Sequence, residues 1–383
     1  MAMSRRGFVR VLGGGAILAA GGGLGLARCD AMPEEAVAAW RGPHPAEADV
    51  RRRLVSWAIL APNPHNRQPW LIDLREPGAI VLRCDRERLL PETDPFGRQI
   101  MIGCGAFLEL LDLAASAEGL RAEIACFPEG GHTAERIGAA PVARIRLAPA
   151  QRKKDPLFDQ IARRRTNRQT FEPGDLPSVE ADALGAAVAD DSVRFGAALD
   201  GPLRARLRKL SFEAWEIEAR TPRTMQESVE LMRVGADEIA RDPDGIALHG
   251  PMFWWGRRLG LLTAQKIGEP SSAAFASGLE MFRKLHDSAA GFVWLATAAN
   301  DRESQLRAGR AYARLNLAAT ARGLAMQPFI QALQEYPEMA GLRTELHRLL
   351  GAGEATAQML ARIGRAAPPG PAPRRPLREM LSA

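Results

Sequence analysis

Two short stretches decide how this chain is read: Ala61-Pro62-Asn63-Pro64-His65-Asn66-Arg67-Gln68-Pro69-Trp70, and far downstream Arg164-Arg165-Thr166-Asn167-Arg168. The first breaks a helix, because its prolines cannot sit in a regular helix interior. It sets a stiffened loop carrying Asn63, Asn66 and Gln68, whose amides both donate and accept hydrogen bonds. Such amides suit a heterocycle edge that does the same. The second stretch flanks a hydroxyl with arginines, which suits a phosphate monoester. By itself an arginine run is as well read as a solvated face. A third basic element, Arg374-Arg375, stands between prolines near the C-terminus and alone reads as a plain tail.

Working outward, the periodicity predicts a helix over 48–60, with Val50, Leu54, Trp57 and Ala61 at helical spacing. Short strands are expected at 71–74 and 79–83 around Glu76-Pro77-Gly78, and again at 121–126 and 142–147. A small-residue helix spans 99–118, another helix 155–165, and a helix and strand 175–200. The stretch 201–290 reads as mostly helical, 291–297 as a strand, and 303–323 as a long helix with Tyr312, Leu315 and Ala319 on one face. A faint repeat links Ile102–Ala106, Leu113–Ala115 and Gly119-Leu120 to Ala308–Ala311, Leu317–Ala319 and Gly323-Leu324.

Composition bounds the function. The 383 residues are 46% hydrophobic and 25% charged, an ordinary globular balance. Arg5, Arg6 and Arg10 supply three of the net +6, and residues 1–27 hold no acid, so without them the charge is +3. Neither that charge nor the scattered arginines support a nucleic-acid partner. Cys29, Cys84, Cys104 and Cys126 form no C-x-x-C pair, and the six histidines show no zinc spacing, so no metal site is expected. A disulfide stays open in an oxidising compartment. Ser4-Arg5-Arg6-Gly7-Phe8-Val9-Arg10 before an uncharged run to Ala27 reads as a twin-arginine export signal, and hence an extracytoplasmic location. A short membrane anchor is the other reading. Arg28 before Cys29 argues against a lipoprotein, and Gly13-Gly14-Gly15 follows no strand, so it is no phosphate loop.

Together the three basic and amide motifs resemble the FMN-dependent nitroreductase family, which carries a basic-Ser-x-basic motif, then A-P-S-x-x-N-x-Q-P-W, and a basic pair near the C-terminus. The order here is changed: the amide loop lies in the first half, and Arg164–Arg168 opens the second. With Thr93–Arg98 and Arg362-Ile363-Gly364, the chain looks like the double-length branch typified by the mycobacterial dormancy-associated FMN-binding protein. The resemblance implies an α+β nitroreductase-like fold of two fused, diverged halves, residues 28–154 and 155–383, the second with a helical insert at 201–290. It implies a single-chain pseudo-dimer, a monomer holding one FMN in one composite site.

By that resemblance Arg164, Thr166, Arg168 and Arg374 or Arg375 hold the ribityl phosphate. Pro62, Asn63, Pro64, Asn66 and Gln68 meet the cofactor from the first half. Met326, Gln327, Pro328 and Phe329 form a loop along the ring, with a backbone N–H towards flavin N5. Asn63-Pro64 replaces the family's usual Ser-Ser. No catalytic side chain is expected, since the cofactor carries the chemistry. The electron donor would be NAD(P)H or another carrier, and the acceptor a small nitroaromatic or quinone. Met252–Trp255 read either as core packing or as part of a lid, and a lidded site would make the protein a flavin-sequestering one with little turnover.

Overall fold

The computed structural model describes residues 30–382, so the expected export signal lies outside the described residues. The first run of elements is α1 (Val50–Ala58), β1 (Trp70–Asp73), β2 (Ala79–Cys84), α2 (Arg98–Ala117), β3 (Leu120–Cys126) and β4 (Ala143–Pro149). Asp49 caps α1, its carboxylate accepting from Arg51 N at 2.9 Å. The strands form an antiparallel sheet in the order β1-β2-β4-β3.

The second run opens with α3 (Ser178–Ala187) and β5 (Val193–Ala198). Next come α4 (Gly201–Arg220), α5 (Pro222–Glu230), β6 (Met232–Val234), α6 (Ala236–Arg241), β7 (Ile246–Leu248), α7 (Pro251–Arg258), α8 (Ala264–Gly268) and α9 (Ala273–Asp287). It closes with β8 (Gly291–Thr297), α10 (Arg302–Ala321), β9 (Ala325–Pro328), α11 (Ala340–Leu349) and β10 (Thr356–Gly364). Its main sheet, β5-β8-β10-β9, is again antiparallel throughout.

The two runs match element for element. In each, a helix leads into an outer strand, an inner strand, a long helix, the opposite outer strand and a second inner strand. The first run turns from β1 to β2 at Glu76-Pro77-Gly78, where Gly78 has φ 72°. The second run places the whole segment α4 to α9 at that same hairpin.

The long helices α2 and α10 cross at Gly105 and Gly309. A Cβ on Gly309 would fall on the Ile102 carbonyl, and one on Gly105 on the Leu306 carbonyl, so only glycine permits this approach. Helix α2 is long and apolar enough to span a membrane, but 94% of its apolar window is buried in the protein, which makes it a core helix. Its two buried acids are both paired: Glu109 across the crossing with Arg310 at 2.7 Å and Arg314 at 2.9 Å, and Asp112 with Arg310 at 3.5 Å and with Arg152, just after β4, at 2.7 Å.

Three expectations change. Residues 155–165 are not a regular helix: a 3-10 turn covers Pro156–Gln160, after which Asn167 N donates to Met326 O at 3.0 Å and draws the chain onto β9. Residues 326–328 are the end of a strand paired with β10, not a free loop. The insert contains a two-stranded parallel sheet, β6-β7, too short to show a period. The C-terminal tail runs back to the first sheet, where Ile72 N donates to Met380 O and Ser382 N to Ile72 O, both at 2.8 Å. Cys84, Cys104 and Cys126 are free thiols, the first two buried.

Candidate functional site

The loop between α1 and β1 holds an unusual backbone. His65, Asn66 and Gln68 have φ of 46°, 52° and 50°, the left-handed region that non-glycine residues enter at a cost of order 1 kcal/mol each. Side chains hold it there. Asn63 Oδ1 accepts from Gln68 N at 2.7 Å, and its Nδ2 donates to Ala61 O at 3.1 Å. Asn66 Nδ2 donates to Pro373 O at 3.0 Å, and its Oδ1 accepts from Arg374 Nη1 at 2.7 Å. Gln68, fully buried, donates to Pro243 O at 3.0 Å and accepts from Arg375 N at 2.8 Å. All three amides expected to face a ligand are therefore engaged at both ends within the protein. They shape the loop and tie to it the C-terminal tail and the insert.

The basic motifs behave differently. Arg374 is buried and donates only to neutral acceptors: Ile59 O at 3.1 Å, Leu60 O at 3.2 Å, and the Asn66 amide. Arg164 is buried beside it and donates to the same Leu60 carbonyl at 3.1 Å, while its Nε and Nη1 have no partner. Arg165 lies 4.3 Å over the Trp40 ring, with Arg374 at 5.2 Å and Arg164 at 5.6 Å from the same ring. Arg168 is exposed, yet near enough to press on Arg374 and His65. Burial, compounded by the charges of Arg164, Arg165 and Arg168, lowers the Arg374 pKa to about 9. Burial likewise lowers Arg164 to about 10.

Among the described residues none of these four arginines forms an ion pair with a carboxylate, whereas Arg310 and Arg314 at the α2–α10 crossing both do. Buried cations without counter-ions are costly, and an anion with several acceptor oxygens would relieve them. The donor set fits a phosphate monoester. Two open cavities, of about 710 Å³ at Arg98, Glu335 and Arg343 and about 770 Å³ within the insert, lie away from this cluster.

The remaining expected residues divide. Thr166 is half-buried next to the cluster, and Pro62 and Pro64 flank the strained loop. Asn167 and Gln169 are fixed by Arg362, which donates to their carbonyls at 3.4 and 2.6 Å and to Gln327 Oε1 at 2.9 Å. Gln327 is thus bound within the protein, and Met326 is core. Phe329 is not on the site's surface: its ring stacks on His286 at 4.0 Å, and its N–H donates to Leu360 O at 2.8 Å. Arg375 turns away from the cluster towards Gln68 and Glu379, which leaves Arg374 as the tail's contribution. Trp40 carried no signal in the sequence, standing in a plain Ala-rich turn. Pro243-Asp244-Gly245 could have been read as a turn, but nothing local tells where it docks.

Two matching antiparallel sheets pack around crossed helices, and the arginines collected between loop, tail and second run have the donor chemistry that suits an anion. The chain belongs to the nitroreductase family. It is 30% identical over 356 residues to "Putative NAD(P)H nitroreductase acg" of Mycobacterium tuberculosis, across 87% of this chain and 95% of that protein. A second protein of that organism with the same description is 28% identical over 352 residues, 88% of this chain and 92% of its own. No family model matches. Among solved structures, a "putative nitroreductase" from Anabaena variabilis covers 80% of this chain and 82% of its own, at 13% identity and TM-score 0.41. The FMN-dependent nitroreductase NfnB of Mycobacterium smegmatis, in complex with NADPH, covers 57% and 94%, at 20% identity and TM-score 0.36. Likeness that loose says nothing by itself of this chain's ligand.

Proposed function

We propose that the chain is an FMN-dependent oxidoreductase that takes electrons from a nicotinamide donor and passes them to a small nitroaromatic or quinone-like acceptor. The observation that carries the reading is the buried arginine cluster, with two guanidinium nitrogens of Arg164 unpartnered and no carboxylate to answer it. Arg164 and Arg374 would hold the phosphate, with Thr166 and Arg168 at its open side. Asn63, Asn66 and Gln68 would act by keeping the loop in shape, and Trp40 by covering the guanidinium groups from water. When bound, FMN supplies the two-electron chemistry, so no side-chain acid or base is needed.

One site per chain follows from asymmetry between the two runs. The short connection 188–192 from α3 to β5 has no counterpart of the proline-amide loop. We read residues 28–154 and 155–383 as fused halves related by an internal pseudo-twofold, so that a monomer suffices. The Ser4–Arg10 motif and the uncharged run after it support export by the twin-arginine machinery and an extracytoplasmic site of action.

A second reading, a flavin-holding protein with slow turnover, is favoured by the insert. Its Pro243–Gly245 turn seats on the loop through Gln68 Nε2 to Pro243 O and Gly245 N to Asn66 O at 3.3 Å. Flavin content of the purified chain tests the main reading: one FMN per chain is expected, with R164M and R374M both depleted. Two FMN per chain, or full loading in both variants, would overturn it. Steady NADPH oxidation with a nitroaromatic then separates the two readings.

A further inference from the structure

The insert presents an apolar face that the flavin reading does not use. Six large hydrophobic residues are exposed among those described, and three of them, Trp255 at 46%, Leu259 at 63% and Leu261 at 38%, fall within one short segment. Trp255 on α7 and Leu259, the residue just past its end, are one helical turn apart on the same side, with Leu259 N donating to Trp255 O at 3.0 Å. Leu261 N and Leu262 N both donate to Gly256 O, at 2.7 and 3.0 Å, which folds the following turn back beside the helix. Gly260 has φ 64°, as that reversal requires. Leu262 is buried against Gly256, so the exposed side chains stand on a fixed base.

Cations outnumber acids beside this face: among the described residues, Arg257 alone of its three basic residues forms an ion pair, with Glu238 at 3.7 Å. Residues 249–268 include Arg257, Arg258 and Lys266 and no Asp or Glu. Arg258 lies 4.0 Å over the Trp254 ring, and Lys266 donates to Gly260 O. A short helix with Trp and Leu on one side and basic residues beside them suits the boundary of an anionic bilayer, where rings and alkyl chains enter and cations meet phosphates.

The first described residue anchors this helix. Asp30 accepts from Gly250 N, at the start of α7, through its carbonyl at 3.1 Å and its carboxylate at 3.0 Å.

We propose that α7 and its following turn dock this protein on an anionic phospholipid surface. The chain starting at residue 28, which keeps every described residue, is mixed with vesicles of phosphatidylglycerol and phosphatidylcholine, or of phosphatidylcholine alone, and sedimented. It pellets with the anionic vesicles, releases at high salt, and does not pellet with phosphatidylcholine. The W255S/L259S/L261S variant partitions about tenfold less or weaker still, with its melting temperature unchanged. As an independent readout, brominated phosphatidylglycerol quenches tryptophan emission in the wild type, and W255F loses most of that quenching while still pelleting. Equal pelleting of wild type and triple variant would overturn the proposal. So would failure to bind anionic vesicles, or a dimer that the triple variant abolishes without any vesicle binding.

Discussion

On the flavin reading, Arg164 would serve binding at the expense of stability. It is buried, makes one hydrogen bond to Leu60 O, and leaves Nε and Nη1 unpaired. An unsatisfied buried donor costs about 1–3 kcal/mol, and an uncompensated cation adds to it. R164M therefore makes the flavin-free protein more stable by about 1–2 kcal/mol, seen as a higher melting temperature, while lowering FMN affinity at least tenfold. His65 gives a pH-dependent counterpart. Burial, with the charges of Arg168 and Arg67, lowers its pKa from the ordinary 6.5 to about 4, and its Nδ1 is sealed without a partner. Between those values the unfolded chain binds a proton that the folded chain refuses, so stability falls as pH drops from 6.5 towards 4. Asn tolerates the left-handed backbone at this position. H65N is thus expected to lose about 2–3 kcal/mol less than wild type between pH 7 and pH 4, measured by urea unfolding at each pH. The sequence marked the loop amides as hydrogen-bonding groups expected to face a ligand, and the structure shows their side chains bonded within the protein. Amide side chains advertise hydrogen bonding but not its direction, and here Asn63, Asn66 and Gln68 spend it on the loop and tail.

At the scale of elements, the strongly periodic or β-branched segments were legible and the ones fixed by tertiary contact were not. Helix α2, helix α10 and strand β8 fall where pattern puts them, because each buries a continuous apolar face. The segment after Asp155 has helical composition, yet Asn167 is claimed by Met326 O and the chain leaves the helix after Gln160. No local signal reports a bond made across the fold. The α2–α10 crossing was visible only as a faint repeat of small residues, and the structure gives the repeat its reason: Gly105 and Gly309 face each other, with a Cβ on Gly309 reaching 2.9 Å from Gly105 Cα. Helix propensity alone would make Gly309→Ala stabilising by about 1 kcal/mol. Overpacking against backbone opposes this with about 3 kcal/mol or more, since neither helix can yield without moving its sheet. G309A should therefore lower the urea midpoint. Gly278 in α9 has nothing within 4 Å of a built Cβ, so G278A should raise the midpoint slightly and serves as the control.

Across the whole molecule, the duplicated topology explains where the insert can act. Segment α4 to α9 replaces a tight turn at one hairpin of the second sheet, and from there it reaches the strained loop of the first run. The contact is electrostatic as well as hydrogen-bonded. Asp244, buried in the insert, meets Arg88 of the first run at 2.7 Å, Arg67 of the loop at 3.6 Å, and Arg233 of β6 at 2.8 Å. One carboxylate thus holds three guanidinium groups drawn from the insert, the loop and the turn after β2. Removing its charge while keeping its shape leaves those cations facing one another, a change that costs about 3–5 kcal/mol when a buried pair is broken. Most of that cost should fall locally, because the Pro243–Gly245 turn can lift without unfolding either main sheet. D244N is therefore expected to increase protease cleavage and amide exchange in residues 230–270 well before global melting. The lifted turn also frees Gln68 and the Asn66 carbonyl, loosening the loop that Arg374 depends on. On the flavin reading, FMN should then dissociate at least tenfold faster, the effect of about 1.4 kcal/mol. Nicotinamide turnover distinguishes two roles for the insert. If the insert restricts access, NADPH oxidation by still-loaded D244N exceeds that of wild type. If it only braces the site, turnover per bound flavin is unchanged and the faster release stands alone.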